Sequence, residues 1–338
     1  MSGEWLFVPE EVRAFNYLMD DYMQVHNKNG PPRGYERYHP SAFGKCLRQM
    51  QYYRYAQQGF LPMPVQSVES NMLRLWEVGH HTQSRWEKYF SDLGIIRGVW
   101  RCVNPLCKSF KDDGSGYKST EELDQSVLDI RPRVYGKEEK CGVFKPERCA
   151  CGCTRFDYEE IHVEDKEMNL DGHCDMILDF SNLNMSKFEG FKTSFSADQL
   201  PKGIVVADMK TCNQYAWDNK VMKVGPSLEY QIQLTIYANI LGCDSGLLIY
   251  ENKNDSKTKA FKIPKNEDTW FPVIKEQARL MNEMVPHKKL PPPRSFTKSD
   301  YDCKYCPFAQ TCHASKVWDD EMTLKEKRKK FYRNLLST

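Results

Sequence analysis

Two acids and an amine are the first residues whose types and spacing suit a chemical role. Asp175 lies in GHCDMIL (residues 172–178), and Asp208 and Lys210 lie in VVADMKT (205–211). Each acid sits on or just after an apolar run that reads as a strand. Side chains alternate along a strand, so Asp208 and Lys210 share one face. Asp175 has Cys174, Met176, Ile177 and Leu178 around it, where an unpaired charge is expensive. Two carboxylates holding a divalent ion beside a lysine suit metal-assisted phosphodiester hydrolysis. The carboxylates supply oxygen ligands, the ion activates water and neutralises charge at phosphorus, and Lys210 orients that water or stabilises the developing charge. D-x-K alone is as well read as a structural pair at a strand end. Its context favours chemistry: GHCD upstream, and downstream the helix EYQIQLTIYANILG (229–242), where Gln233 and Tyr237 stand four apart on one face. Facing a phosphate, those two would bind substrate and support Lys210; otherwise they are the polar rim of an amphipathic helix.

Thiols are the second signal. The chain has thirteen cysteines, crowded into groups. In a reducing compartment such clusters, and an odd total, point to metal ligation more than to disulfides. Cys102-x4-Cys107 together with Cys149, Cys151 and Cys153 suggests a tetrahedral structural zinc site in a loop-rich module. Cys151-Gly152 is similar to the Cys-Gly of a zinc knuckle. C-x-C in place of C-x2-C leaves Cys151 and Cys153 as alternative fourth ligands, with Cys141-Gly142 as another. Cys303-x2-Cys306-x5-Cys312 offers three thiolates and needs a fourth; its spacing suits zinc and iron–sulfur equally. Cys174, Cys212 and Cys243 stand among apolar neighbours and read as core thiols.

Periodicity gives the elements that must position these groups. Helices are expected over 8–25, 46–57, 67–93 (ended by Gly94), 226–241 and 269–284, and strands over 156–163, 172–180, 203–208, 246–251 and 260–263. NKNGPPR (27–33) breaks the first helix. Residues 100–156 lack periodicity and read as an inserted module. Pro291–Pro293 marks a boundary before the last cysteines, and the basic tail around 325–330 reads as a solvated helix. The pattern is α/β, with a helical region 1–70, a first core helix 71–99, an insertion 100–157, a core 158–290 and a cysteine-rich end 291–338. Arg48, Tyr52, Tyr53, Arg54 and Tyr55 interleave basic and aromatic groups, as a single-strand groove does, or form a helix with an aromatic core face. A net charge of +2 excludes a bulk polycation but leaves room for a local nucleic-acid patch. The first fifteen residues lack the basic start and apolar run of a signal peptide, and no apolar run is long enough to span a bilayer. A cytoplasmic protein without a membrane partner is expected.

The ordered set GHCD, VVADMK and Gln233-x3-Tyr237 resembles motifs II, III and IV of RecB-type PD-(D/E)XK nucleases. The likeness extends to Gly79-His80 upstream and to YENKN (250–254) after the Gln–Tyr helix. The chain resembles the iron–sulfur branch of that family, related to the CRISPR spacer-acquisition nucleases and AddB, as a phage-type member with a zinc-ribbon insertion. The likeness covers about 73–263 and, with the terminal cysteines, nearly the whole chain.

The resemblance implies a restriction-endonuclease-like mixed sheet flanked by helices, with Asp175, Asp208, Lys210, Gln233 and Tyr237 catalytic. It implies Mg²⁺ or Mn²⁺ held by Asp175, Asp208 and Met209, with His80 contributing. It also implies a [4Fe–4S] cluster on Cys46, Cys303, Cys306 and Cys312, which would close a loop of more than 250 residues and couple metal binding to folding. One departure stands out: Gln83 occupies the position where such nucleases place a metal-binding histidine, with His80 one turn before it and Glu87 one turn after as substitutes; His81 points elsewhere. The function implied is a DNA exonuclease or flap-processing enzyme acting on single-stranded or end-containing DNA in phage-type replication, recombination or degradation, with a replication or recombination protein as partner. Gln83 favours instead a non-catalytic DNA-binding or scaffold subunit. The ordered motifs disfavour a third class, an RNA-binding zinc-ribbon protein.

Overall fold

The computed structural model describes residues 10–28, 34–64, 68–111, 113, 115–119, 132–190, 195–286 and 298–314. Helices α1 (Glu10–Lys28), α2 (Leu47–Gln57), α3 (Ser70–Leu93), α4 (Leu228–Leu241), α5 (Trp270–Met284), α6 (Tyr301–Lys304) and α7 (Ala309–Ala314) surround a mixed sheet. Its strands run in the order β10 (Thr258–Pro264), β9 (Ser245–Asn252), β8 (Ile204–Cys212), β7 (Met176–Asp179), β1 (Ile96–Cys102), β2 (Val134–Tyr135). Strands β3 (Val143–Phe144) and β4 (Phe156–Glu159) also pair with β1. The expected class, a central mixed sheet flanked by helices, is what the chain forms. Strands β8 and β9 run parallel; parallel neighbours need a crossover, and α4 supplies it.

Alternation along β8 sorts its side chains between two cores. Val205, Ala207 and Met209 pack with Phe90 of α3, Trp100 and Met176 on one side. Val206 packs on the other with Ile232, Leu234 and Ile236 of α4 and with Ile274 and Met281 of α5. Asp208 and Lys210 share the parity of Val206 and therefore project toward α4. That helix is buried on nearly every side, which explains why its sequence is apolar all round. Glu251 of β9, itself buried, anchors α3 from below: it accepts from Trp86 Nε1 at 2.7 Å and pairs with Arg85.

Two strands expected to be continuous are each broken once. The run 156–163 divides into β4 and β5 (Ile161–Asp165), and 172–180 divides into β6 (Leu170–Cys174) and β7. Strands β5 and β6 leave the main sheet as a separate pair, with Ile161 opposite Cys174. The residues left between the halves are Glu160 and Asp175. Gly98 permits this geometry, since a Cβ there would stand 2.1 Å from the Tyr158 ring. Tyr158 Oη donates to the Asp175 carbonyl at 2.9 Å, satisfying a backbone acceptor that the broken ladder leaves over.

Strand β1 is a correction. It carries two arginines and a glycine, so its sequence is a weak strand signal, yet burial alternates strictly along it. It runs into the segment expected to be an insertion, and Cys102, Cys107 and Cys149 are buried in the same core as Trp100, Phe156 and Met176. The thiol module is built onto the sheet. Helix α3 ends at Gly94, whose φ of 80° is the left-handed conformation glycine adopts at no steric cost. Tyr52, Tyr55 and Ala56 of α2 pack on Phe308 and Cys312, bringing the two ends of the chain together. The arginine–tyrosine pattern of α2 is mainly a core face: Arg48, Tyr52, Arg54 and Tyr55 are buried, while Tyr53 is half-buried. Pro291–Pro293 and the basic tail lie outside the described residues. Among the described residues no helix is long and apolar enough to cross a membrane.

Candidate functional site

The broken strands and β8 bring the acids together. Asp208 is buried, and its Oδ1 accepts from Lys210 Nζ at 2.7 Å. Its Oδ2 is buried with no hydrogen-bond donor. The Asp175 carboxyl lies within hydrogen-bonding reach of Asp208. Burial first, then the charge of Asp208 and the contact with it, push Asp175 well above the usual carboxylate range, while Lys210 pulls the other way. Two carboxylates this close share a proton unless a cation lies between them. Burial opposes the charge on Lys210, but Asp208 and Asp175 outweigh it and leave the ammonium firmly protonated. Its Nζ also stands 4.9 Å from the centre of the Tyr230 ring.

Helix α4 supplies the next layer. Tyr237 Oη donates to the His173 carbonyl at 2.6 Å, and Gln233 bonds to the same tyrosine. Burial and then the negative charge around Cys174, Asp175 and Asp208 hold the Tyr237 hydroxyl protonated. Beside it, Gly172 lets Pro40 pack closely on β6, since a Cβ there would stand 2.8 Å from the proline ring. Gln233 and Tyr237 thus reach the broken strands, as the sequence placed them, and both make positioning bonds.

Three of the site's neighbours come from less obvious places. Gln83 Nε2 donates to Glu87 at 2.9 Å and to Glu160 at 3.2 Å. Burial, and then the nearby charge of Glu160, raise Glu87, while the Gln83 bond partly offsets them. Glu160, whose charge also acts on Asp175, was not singled out from sequence; its signal was a polar residue interrupting an alternating run. Two other expected metal ligands stand less directly at the acids. His80 is exposed one turn back on α3, and it is Glu87 that faces Glu160. The Met209 side chain packs into the opposite core, so only its backbone remains near Asp208, where the pairing of β7 with β8 has ended at Met176–Ala207.

Four thiols form a second site. Cys102, Cys107, Cys149 and Cys151 have ligand atoms all within 4.8 Å of one another, the sole such group among the described residues. Sulfur separations are 3.7 Å for Cys102–Cys151 and 3.5 Å for Cys107–Cys149. A single ion bound by four thiolates at ~2.3 Å requires ~3.8 Å between sulfurs, so the quartet could hold one metal ion. Burial acts to raise the Cys151 thiol, but the Cys153 N–H, the Asn104 amide and its cysteine neighbours lower it to about 6. Tyr135 Oη donates to Cys149 Sγ at 3.2 Å. Cys153 is a correction: its sulfur faces the backbone of Arg155 instead of the quartet. Cys141 is likewise elsewhere, with its sulfur 3.8 Å from that of Cys243, so Cys243 is not a solitary core thiol, and Cys212 is only half-buried.

Cys46, Cys303, Cys306 and Cys312 line one small cavity between α2 and the C-terminal helices. Burial, then the charges of Cys46, Cys306 and Cys312, push the Cys303 thiol up to about 12. Their sulfurs do not all lie within 4.8 Å of one another as those of the compact quartet do. Arg48, 1% exposed, donates to Cys312 Sγ at 3.6 Å and places positive charge beside these thiols.

No family model and no curated protein matches this chain. Among solved structures, the "Crystal structure of SSO0001" aligns with 12% identity over 89% of this chain and 97% of that one, at a TM-score of 0.38. That likeness is too loose to transfer anything to this chain.

Replacing Cys151 with Ser should reduce metal bound by the purified protein by about one equivalent, whereas Cys153→Ser should leave it unchanged; elemental analysis of the two variants distinguishes them. The acid pair makes a different prediction. Because the folded-state value of Asp175 is raised, its ionisation costs stability increasingly as pH climbs from its unfolded value toward the folded one. In EDTA, Asp175→Asn should therefore melt higher than wild type, by about 2–4 °C for each kcal/mol relieved, and by more at about pH 8 than at about pH 5. An unchanged or lower melting temperature at the higher pH would contradict the like-charge contact.

Proposed function

We propose that this chain is a divalent-metal-dependent deoxyribonuclease that hydrolyses phosphodiester bonds, acting on single-stranded or end-containing DNA in phage-type replication, recombination or degradation. The observation that carries this reading is the buried Asp208 carboxylate: one oxygen is bonded to Lys210, the other has no donor, and the Asp175 carboxyl lies within hydrogen-bonding reach. Such an orphaned acceptor beside a second acid fits a hard cation, with Asp175 and Asp208 as the residues that would hold Mg²⁺ or Mn²⁺ and Glu160 and Glu87 close by. When bound, the ion would supply an activated water and offset charge on the scissile phosphate.

The chain's own groups do the rest. Lys210, held cationic, stabilises negative charge developing on the phosphate oxygens. Tyr237 fixes the β6 backbone immediately before Cys174 and Asp175, and Tyr158 fixes Asp175 itself, so the acid is positioned before substrate arrives. Gln83 keeps Glu87 and Glu160 together although it is not the expected histidine.

The two thiol sites read as a structural zinc on Cys102, Cys107, Cys149 and Cys151, and a [4Fe–4S] cluster on Cys46, Cys303, Cys306 and Cys312. The tight spacing of the first supports zinc, and the wide, buried spacing of the second supports the cluster.

With Mg²⁺ or Mn²⁺, wild type should degrade labelled single strands and plasmid ends, and Asp208→Asn should lose that activity by at least ~10²–10³-fold. Metal-independent cutting that is equal in both proteins would remove the enzyme reading and leave a DNA-binding scaffold. Anaerobically purified protein should be brown, absorbing broadly near ~400 nm, and Cys46→Ser should be pale with diminished iron. Colourless wild type containing only zinc would overturn the cluster.

A further inference from the structure

A pocket of about 200 Å³ lies between residues 35–42 and the outer side of α2. Its lining includes Tyr35, Arg37, His39, Lys45, Tyr53 and Arg54 and contains no carboxylate. Arg54 is 8% exposed, and its buried Nε has no hydrogen-bond partner. Its guanidinium otherwise donates to the Glu36 carbonyl and stands 5.0 Å from the centre of the Tyr38 ring; the Glu36 charge acts on it, but no ion pair joins it to an acid among the described residues. Burying a guanidinium without an ion pair is costly, and an anion entering the pocket would offset that cost. Arg37 is engaged with Glu164 and Asp171 at the rim, which leaves exposed Lys45 as the second free cation among the described lining residues. Tyr35 stacks on Tyr53 with ring centres 4.1 Å apart and planes within 8°, a rigid aromatic platform. The pocket also adjoins the acid site. Gly44, beside Lys45, packs so closely on the first turn of α4 that a Cβ would stand 2.2 Å from Glu229 Cα, and Glu229 is one of the charges acting on Lys210.

We propose that this pocket holds one non-scissile nucleotide of a single-stranded DNA, its phosphate toward Arg54 and Lys45 and its base against the Tyr35–Tyr53 platform. The choice of a strand over another planar anion rests on the nuclease reading. A phosphate seated on a buried guanidinium and a base on an aromatic face are the two contacts by which single strands are held without sequence readout.

Fluorescence anisotropy with a labelled oligothymidylate, in EDTA so that no cleavage occurs, tests it on the full-length protein. Tyr35→Ala should weaken binding about tenfold. Lys45→Ala should weaken it and reduce the salt dependence by roughly 0.7 in the log–log slope. Arg54→Met should weaken it most, and because that side chain is buried, near-ultraviolet circular dichroism must show the variant folded before its result is used. Binding by both Tyr35→Ala and Lys45→Ala that equals wild type would overturn the proposal. So would thymidine monophosphate binding as tightly as the oligonucleotide, which would make this a free-nucleotide site. Cleavage measured separately keeps the two readings apart. Pocket-independent binding with Asp208-dependent cutting sinks the pocket alone, and pocket-dependent binding without metal-dependent cutting sinks the nuclease alone.

Discussion

Carboxylates taken out of water repel one another more strongly than they do at a surface, and Asp175 and Asp208 are held in contact nonetheless. Much of the architecture around them counters that repulsion. Lys210 supplies a compensating charge from the same strand as Asp208, two residues on. The register of β7 on β8, with Met176 opposite Ala207, brings Asp175 beside Asp208 just where that ladder ends, and Tyr158 satisfies the Asp175 carbonyl that the break exposes. Gly98 makes space for Tyr158, which holds the broken strand.

The thiol sites fasten the molecule at two other places. The compact quartet joins the end of β1 to the segment just before β4, two strands that pair directly, so it closes off one end of the sheet. The wider set joins the start of α2 to the C-terminal helices across nearly the whole chain. Four buried or half-buried thiols in each place have little reason to assemble for packing alone, and the proposed zinc and iron–sulfur occupants supply that reason. The difference in sulfur spacing argues for two different occupants.

Helix α2 serves both neighbours. Its Arg48 points to the thiols, and its Arg54 lines the pocket on the other flank. Both arginines are buried, so one helix carries two charges that need anionic partners. The thiols answer the first, and the proposed phosphate answers the second.

Much of the acid site was legible in the sequence, because strand parity fixes Asp208 with Lys210 and helix parity fixes Gln233 with Tyr237 whatever the surroundings. The helices and the α/β class were legible for the same reason: periodicity and capping are local. What sequence could not reveal depends on residues distant along the chain. Strand β1 was hidden because its arginines and glycine break the apolar pattern, while its burial comes from neighbours in the sheet. The breaks at Glu160 and Asp175 were read as continuous strands because each half alternates correctly; only pairing to different partners separates them. Cys151 and Cys153 are equivalent by spacing, and the fold alone decided between them, because the chain turning at Gly152 sends their sulfurs in different directions. Local pattern set which residues could react; long-range packing set which of them meet.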